Sequence, residues 1–185
     1  HLMEKQTIAA LAAVAQTAAP AIIAAPPAPA TFELTPVQRW FFDQPMPERH
    51  HWNQSVLLEL DTPPRDAPMR QALGRLAGRH ASLRLRFAPH AGGWRQRYDD
   101  GRQAVTYARV DLAGEADLVA AIARESAAVH ASLNLEHGPL MRAVWFDAGM
   151  ERRGRMLLVC HHLAVGAVSW RLLLEDLRHI YQSLE

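Results

Sequence analysis

Apolar residues recur along this chain with two periods, and from residue 35 onwards they predict helices mixed with strands. Helices are expected from residue 36 to the prolines at 45 and 47, and over residues 66–79, 115–133 and 168–181. Strands are expected over residues 52–60, 83–87, 94–98, 104–110, 140–147 and 155–160. Because these elements do not alternate as regular βαβ units, the pattern indicates an α+β fold in which helices pack on a sheet.

Side-chain patterns predict which faces of these elements point inward. Leu83, Leu85 and Phe87 alternate with Arg84 and Arg86, so one side of that strand is expected to be charged.

The segment 115–133 is expected to be the longest helix. The last helix is expected to bury Leu172, Leu173, Leu177 and Ile180.

Alanine and proline dominate the first 31 residues. A short helix at about residues 4–16 is expected to run into a stiff, extended linker, because Pro20, Pro26, Pro27 and Pro29 follow closely. A linker of this kind indicates that another domain precedes it. We therefore divide the chain into a tail at residues 1–31 and a domain at residues 32–185.

Composition and charge narrow the possible functions. The formal net charge of +1 argues against a nucleic-acid partner, which needs clustered basic charge. No apolar run approaches the roughly 20 residues of a membrane span. Glu4 cancels Lys5, so the basic start of a signal peptide is missing and a cytoplasmic location is expected. Cys160 is the single cysteine, which excludes an internal disulfide and a cysteine-based zinc site.

Two adjacent histidines are the strongest candidates for chemistry. His161 and His162 follow the apolar run 156–160 and precede a turn and a helix that contains Ser169 and Trp170. A side chain at the end of a buried strand is held firmly and faces a loop, as catalytic groups often do. A structural role for a histidine at such a position is equally open from the residues alone.

Further segments follow a fixed order along the chain. They are Leu34-Thr35-Pro36-Val37-Gln38-Arg39-Trp40-Phe41-Phe42, His50-His51-Trp52-Asn53-Gln54-Ser55-Val56, Arg79-His80-Ala81-Ser82-Leu83-Arg84-Leu85-Arg86-Phe87 and Ser169-Trp170-Arg171-Leu172-Leu173-Leu174-Glu175-Asp176-Leu177. With the histidine pair, they resemble the epimerization branch of the condensation superfamily of nonribosomal peptide synthetases. The resemblance covers about residues 32–185.

The resemblance implies a single chloramphenicol-acetyltransferase-like lobe with a mixed β-sheet packed with helices. The family fold has two such lobes around a tunnel, and this chain is long enough for the first only. The second lobe, with its glutamate, lies outside this sequence. Residues 4–16 are similar to the last helix of a carrier protein, the usual upstream neighbour.

The resemblance also implies the chemistry. Epimerization removes an α-proton from a carrier-bound aminoacyl or peptidyl thioester and returns it on the other face, which needs an acid and a base. His162 occupies the position of the family's catalytic histidine, and His161 is expected to orient it. No cofactor is expected to bind this chain; a 4′-phosphopantetheine on a partner carrier protein is implied.

The turn after the histidines departs from the family's His-His-x-x-x-Asp-Gly pattern. Gly166 stands in place of the aspartate and Ala167 in place of the glycine. By resemblance, that aspartate pairs with the arginine matching Arg84. Arg84 is therefore expected to be exposed, paired elsewhere or a source of local disorder, and Gly166 is expected to loosen the turn that aims His162.

Other candidates have simpler explanations. His50 and His51 are adjacent and, in a strand, would point to opposite faces, so no metal site is expected. The aromatic cluster of Trp40, Phe41, Phe42 and Trp52 is expected in the core.

The arginines at 152, 153 and 155 are expected at a solvated hairpin tip, with contact to a carrier protein or its phosphopantetheine as the alternative.

The sequence thus favours a partial, catalytically silent epimerization-type domain that acts as a spacer or docking surface in a synthetase. The alternative is the first half of an active epimerization domain with His162 as acid and base. Expected partners are a peptidyl carrier protein and neighbouring synthetase domains. Self-association is also expected, through the face that lacks its second lobe.

Overall fold

The computed structural model describes residues 31–100 and 104–184, together with positions 7, 9 and 13. The predicted helix at residues 4–16 and the linker up to residue 31 lie almost entirely outside the described residues. The predicted turn at Asp99-Asp100-Gly101 lies partly outside them.

Helix α1, Pro36–Asp43, begins where the sequence predicts. The Thr35 hydroxyl accepts a hydrogen bond from the Gln38 backbone N–H at 3.4 Å, and the Gln38 side chain accepts one from the Thr35 N–H at 2.8 Å. This reciprocal cap satisfies two backbone donors that a helix start otherwise leaves free. Helix α1 buries Phe41 and Phe42, while Trp40 remains half exposed.

The other described helices are α2 at Asp66–Arg79, α3 at Leu118–Ala131 and α4 at Ala167–Gln182. Helix α3 starts later than predicted because the Asp117 carboxylate accepts from the Ala120 N–H and fixes the helix start there. The longest described helix is therefore α4, with 16 residues, and the expectation that 115–133 is the longest was wrong.

The strands are β1 at Asn53–Glu59, β2 at Leu85–His90, β3 at Gly93–Tyr98, β4 at Val105–Asp111, β5 at Met141–Asp147 and β6 at Arg155–His161. Four of them form a mixed sheet in the order β1-β6-β5-β4, in which only β4 and β5 run parallel. Strands β2 and β3 form a separate antiparallel hairpin. Short 3₁₀ turns lie at Arg49–His51 and Ala81–Arg84.

Both faces of the four-stranded sheet are covered. Met156, Leu158 and Cys160 of β6 pack in the larger core, which also contains residues of α1, α2 and α4. Leu157 and Val159, one step along the same strand, pack in a second core with residues of α3. This two-sided burial explains why the sequence reads as a continuous apolar run there rather than as an alternating one.

Two predicted faces differ from the structure. Arg86 is only 2% exposed, although its strand was expected to have a charged side that includes it. Leu172 is 54% exposed, whereas Leu173 and Leu177 are buried as predicted. The reason for the second difference is the helical period, which places Leu172 about 100° from Leu173 around the helix.

None of the helices in the described part of the chain has both the length and the apolar character that crossing a membrane requires.

Candidate functional site

Strand β6 and helix α4 present the two histidines on the turn between them. His161 is the last residue of β6, and its backbone carbonyl accepts from the Ala164 N–H at 2.9 Å. The His162 N–H donates to the Trp52 carbonyl at 2.9 Å, which fastens the start of the turn to the segment before β1.

His161 is completely buried and hydrogen-bonded at both ring nitrogens. Its Nε2 lies 2.8 Å from the Arg49 carbonyl, and its Nδ1 accepts from the Leu163 N–H at 3.1 Å. Burial lowers the pKa of this imidazole to about 4, so it is neutral near pH 7. A neutral, fully bonded ring of this kind fixes the turn and has no free nitrogen for chemistry.

His162 is half-buried and contacts two polar partners. Its Nδ1 lies 2.8 Å from the Val165 carbonyl, and its Nε2 lies 3.3 Å from the Gln54 side-chain nitrogen. The Trp52 ring lies beside it, with 4.8 Å between ring centroids. The imidazole is thus oriented from three sides while remaining partly open to solvent.

Trp170 connects helix α4 to this imidazole through Gln54. The indole N–H of Trp170 donates to the Gln54 side-chain oxygen at 3.0 Å. Gln54 lies on β1 directly opposite Cys160 of β6, so the sheet register places its side chain near His162. The sequence pointed to Trp170 by itself, but to Gln54 only as one position within a longer motif.

Aromatic rings lead from the site to the surface. Phe41 stacks on Trp52 at 4.7 Å, and Trp40 lies 6.3 Å from Trp52. Phe41 is buried as predicted, but Trp40 is 53% exposed and Trp52 only partly buried. The cluster is therefore core on one side and an exposed apolar rim on the other.

Gly166 stands immediately before helix α4 and adopts an extended backbone with φ of −121°. Its N–H donates to the Ser169 hydroxyl at 3.3 Å. A methyl group at Gly166 would meet no atom within 4 Å, so a side chain fits there. The turn is held by these local hydrogen bonds, and Ala167 continues it as the first residue of the helix.

Arg84 is paired elsewhere, one of the three outcomes expected for it. It donates to the Asp99 backbone carbonyl at 3.4 Å and lies over the Tyr98 ring at 5.7 Å. Its Nε has no hydrogen-bond partner among the residues that the structure describes. The carboxylate of Asp99 instead pairs with the neighbouring, buried Arg86.

Burial lowers the pKa of Arg86, and Asp99 opposes that shift. The ion pair therefore accounts for a charged side chain at 2% exposure.

The Arg-His pair of the 79–87 motif has a structural role. Asp176 of α4 accepts from His80 at 2.7 Å and pairs with Arg79 at 3.0 Å. These contacts join the end of α2 to α4, the helix that contains Trp170.

The remaining histidines do not join the site. His50 accepts from the Leu135 N–H at 3.0 Å, which gives its ring a structural partner. The rings of His51 and His130 lie 5.8 Å apart, and burial, with a smaller effect from His51, lowers the pKa of His130.

The hairpin arginines are more tightly held than a solvated tip implies. Arg152 donates to the carbonyls of Leu112, Ala113 and Glu115, and Arg153 and Arg155 both pair with Glu59.

The fold and this histidine turn define a class of protein. Residues 29–185 match the Condensation domain family, and the chain belongs to that family. It is 40% identical to one of the linear gramicidin synthase proteins of Brevibacillus parabrevis over 190 residues, which cover the whole chain but 4% of that synthase. It is 36% identical over 155 residues to surfactin synthase subunit 1 from Bacillus subtilis, covering 82% of the chain and 4% of the relative.

Solved structures agree with this assignment. The epimerization domain from the third module of tyrocidine synthetase B superimposes with a TM-score of 0.77 at 32% identity, covering 83% of this chain and 35% of that one. The starter condensation domain of rhizomide synthetase gives a TM-score of 0.71 at 22% identity, which supports the fold alone.

The chain is therefore a part of a condensation- or epimerization-type domain of the nonribosomal peptide synthetase class. The resemblance and the fold expected from the sequence are confirmed. Synthetases of this class work with phosphopantetheine-bearing carrier proteins and neighbouring domains.

Proposed function

We propose that this chain is the histidine-bearing lobe of an epimerization domain that acts on a carrier-bound aminoacyl or peptidyl thioester. The observation that carries the proposal is the hydrogen-bonded arrangement around His162. The ring is held by Val165 on one side and by Gln54 on the other, at the position where the family resemblance expects a base.

In this proposal the neutral Nε2 of His162 takes the α-proton of the thioester. The Cα–H bond breaks, the Nε2–H bond forms, and the electron pair moves onto the thioester oxygen as an enolate. Return of a proton on the opposite face restores the thioester with inverted configuration. That second proton comes from a group outside this chain, which the resemblance assigns to the glutamate of the second lobe.

The alternative of a silent lobe also has an observation in its favour. Gly166 supplies no carboxylate, and the Nε of Arg84 is without a hydrogen-bond partner in the described part of the chain. A loss of that kind disrupts an active site when the turn depends on the missing ion pair. Here the turn has hydrogen bonds of its own, from Gly166 to Ser169 and from His162 to Val165, which favours the active lobe.

The decisive experiment is an α-proton exchange assay. The cognate carrier, loaded with an aminoacyl phosphopantetheine, is mixed with this chain in D2O, and deuterium incorporation is followed by mass spectrometry. Incorporation that His162→Ala abolishes and the exposed control His90→Ala retains supports the base. Incorporation no faster than with the carrier alone supports the silent lobe.

Partners beyond the carrier belong to the same proposal. We place the boundary between the upstream tail and the domain near residue 31, next to the start of the family match at residue 29. Val168 and Leu172, one helical turn apart on α4, are 82% and 54% exposed and form an apolar face that a second lobe or a second copy of the chain would cover. Light scattering that finds only monomer at high concentration would contradict self-association.

A further inference from the structure

The indole N–H of Trp170 determines how the Gln54 amide is oriented. An indole nitrogen can only donate, and the group it contacts at 3.0 Å is the side-chain oxygen of Gln54. The amide NH2 of Gln54 must therefore face the other way, towards His162. Trp170 is 9% exposed and its ring packs in the larger core, so the donor is held in place.

The same conclusion follows from the opposite side of the imidazole. The Val165 carbonyl can only accept, and it lies 2.8 Å from Nδ1 of His162. Nδ1 therefore bears the hydrogen. Nε2, which is 3.3 Å from the Gln54 amide nitrogen, is then the acceptor. Two independent partners specify one and the same tautomer.

We propose that Gln54 and Trp170 are positioning residues that hold His162 as the Nδ1–H tautomer and so keep the Nε2 lone pair available as a base. The inference deepens the proposed function and rests on it for its catalytic meaning. At 3.3 Å the contact with Gln54 is longer than an ordinary N–H hydrogen bond. It is strong enough to select a tautomer and weak enough to yield to a substrate.

The neighbouring histidine supplies an internal reference. His161 faces the Arg49 carbonyl with Nε2 and the Leu163 N–H with Nδ1, so it is the Nε2–H tautomer. The two adjacent imidazoles therefore have opposite tautomers. Nuclear magnetic resonance distinguishes these forms directly, because protonated and unprotonated ring nitrogens have well separated 15N shifts.

The first measurement is a long-range 1H–15N spectrum of the 15N-histidine-labelled chain at about pH 8, where an ordinary imidazole is neutral. His161 is expected as Nε2–H and His162 as Nδ1–H. An Nε2–H form of His162 in the unchanged chain would overturn the proposal without any variant having to fold.

The second measurement uses two variants. Trp170→Phe removes the donor that orients Gln54, and His162 is expected to become a mixture of tautomers with intermediate 15N shifts. Gln54→Glu replaces the NH2 with an accepting carboxylate, so the proton of His162 is expected to move to Nε2. The matched control is Trp94→Phe, because Trp94 stacks on Phe42 at 4.3 Å, away from His162, and its loss should leave the tautomer unchanged.

The unchanged Nε2–H signal of His161 reports that each variant is folded. If both site variants are folded and His162 remains purely Nδ1–H, Gln54 and Trp170 have no positioning role. In the exchange assay, loss of one such hydrogen bond is expected to slow exchange about tenfold. The tautomer is measured in the resting chain, so absence of exchange would contradict the proposed function and leave the tautomer assignment standing.

Discussion

His161 has no exposed surface and both of its ring nitrogens are bonded, whereas His162 is half-buried and keeps one nitrogen towards the open side. Adjacent residues of the same type therefore have different roles. The buried ring fixes the turn, and the half-buried ring is the one that a substrate can reach.

The burial of His161 makes the stability of the protein depend on pH. Its pKa is about 4 when folded, while an unfolded histidine titrates near 6.5. Between these values the unfolded chain binds the additional proton, so the free energy of unfolding is highest above pH 6.5 and falls as the pH drops towards 4. The loss from this one residue is about 3 kcal/mol. Urea denaturation at a series of pH values measures it.

The His161→Gln variant is expected to be less stable at pH 7 and to lose a large part of this pH dependence. His130, whose pKa is also lowered, keeps the remainder. The exposed His90→Gln variant is the control and should retain the slope. An identical slope in His161→Gln would show that other groups cause the acid sensitivity.

Single residues are also where sequence-based prediction was weakest. The positions of His161 and His162 were evident from the motif, but the burial of Arg86 was not. Its burial depends on Asp99, which follows the end of the partner strand, and no periodic pattern contains that pairing. Gln54 was missed for a similar reason, since its importance comes from two side chains more than 100 residues away in sequence.

At the scale of elements, helix α4 starts at a glycine without a capping side chain. The strongly preferred residues at this position include aspartate, whose carboxylate accepts from the free N–H groups of the first turn and interacts favourably with the helix dipole. Gly166 has a negative φ and open space around its Cα, so the backbone already suits a larger residue.

Gly166→Asp, which restores the family residue, is therefore expected to raise the free energy of unfolding by about 0.5 kcal/mol through capping. Gly166→Ala, which has equal backbone restriction but no acceptor, is expected to lower it by a similar amount. Thermal denaturation of the pair measures the difference. Equal effects of the two variants would show that the cap is unimportant here.

Elements were largely predictable because their signals are local. The Thr35-Pro36 cap and the apolar run of β6 each specify their element within a few residues. The start of α3 was placed too early because Asp117, rather than an earlier residue, forms the cap. A strand was also predicted from Leu83, but the chain forms a 3₁₀ turn over Ala81–Arg84 first.

At the scale of the whole molecule, the β2–β3 hairpin is attached to the rest of the protein through Arg86 and the segment before β5. The Phe87 N–H donates to the Leu135 carbonyl at 2.8 Å. Gly138 lies against the Arg86 guanidinium with a φ of +75°, and a Cβ at this glycine would overlap that group. The attachment thus requires a residue with no side chain.

Gly138→Ala is expected to lower the free energy of unfolding by about 3 kcal/mol or more. The left-handed conformation costs an L-residue about 1–2 kcal/mol, and displacing Arg86 from its buried ion pair costs further. The control is Gly74→Ala in the interior of α2, where a Cβ meets no atom within 4 Å and alanine is favoured by about 0.5–1 kcal/mol. Guanidinium denaturation should move the two midpoints in opposite directions.

Strand β6 is covered by side chains on both faces and paired along both edges, by β1 and β5. Its amide protons should accordingly exchange with solvent only when the whole protein unfolds, which makes it the slowest-moving part of the chain. His162 follows directly on this strand and is therefore a fixed point in space. Any travel that brings a reactant to this nitrogen, over tens of ångströms or a few, has to be made by the reactant and whatever delivers it.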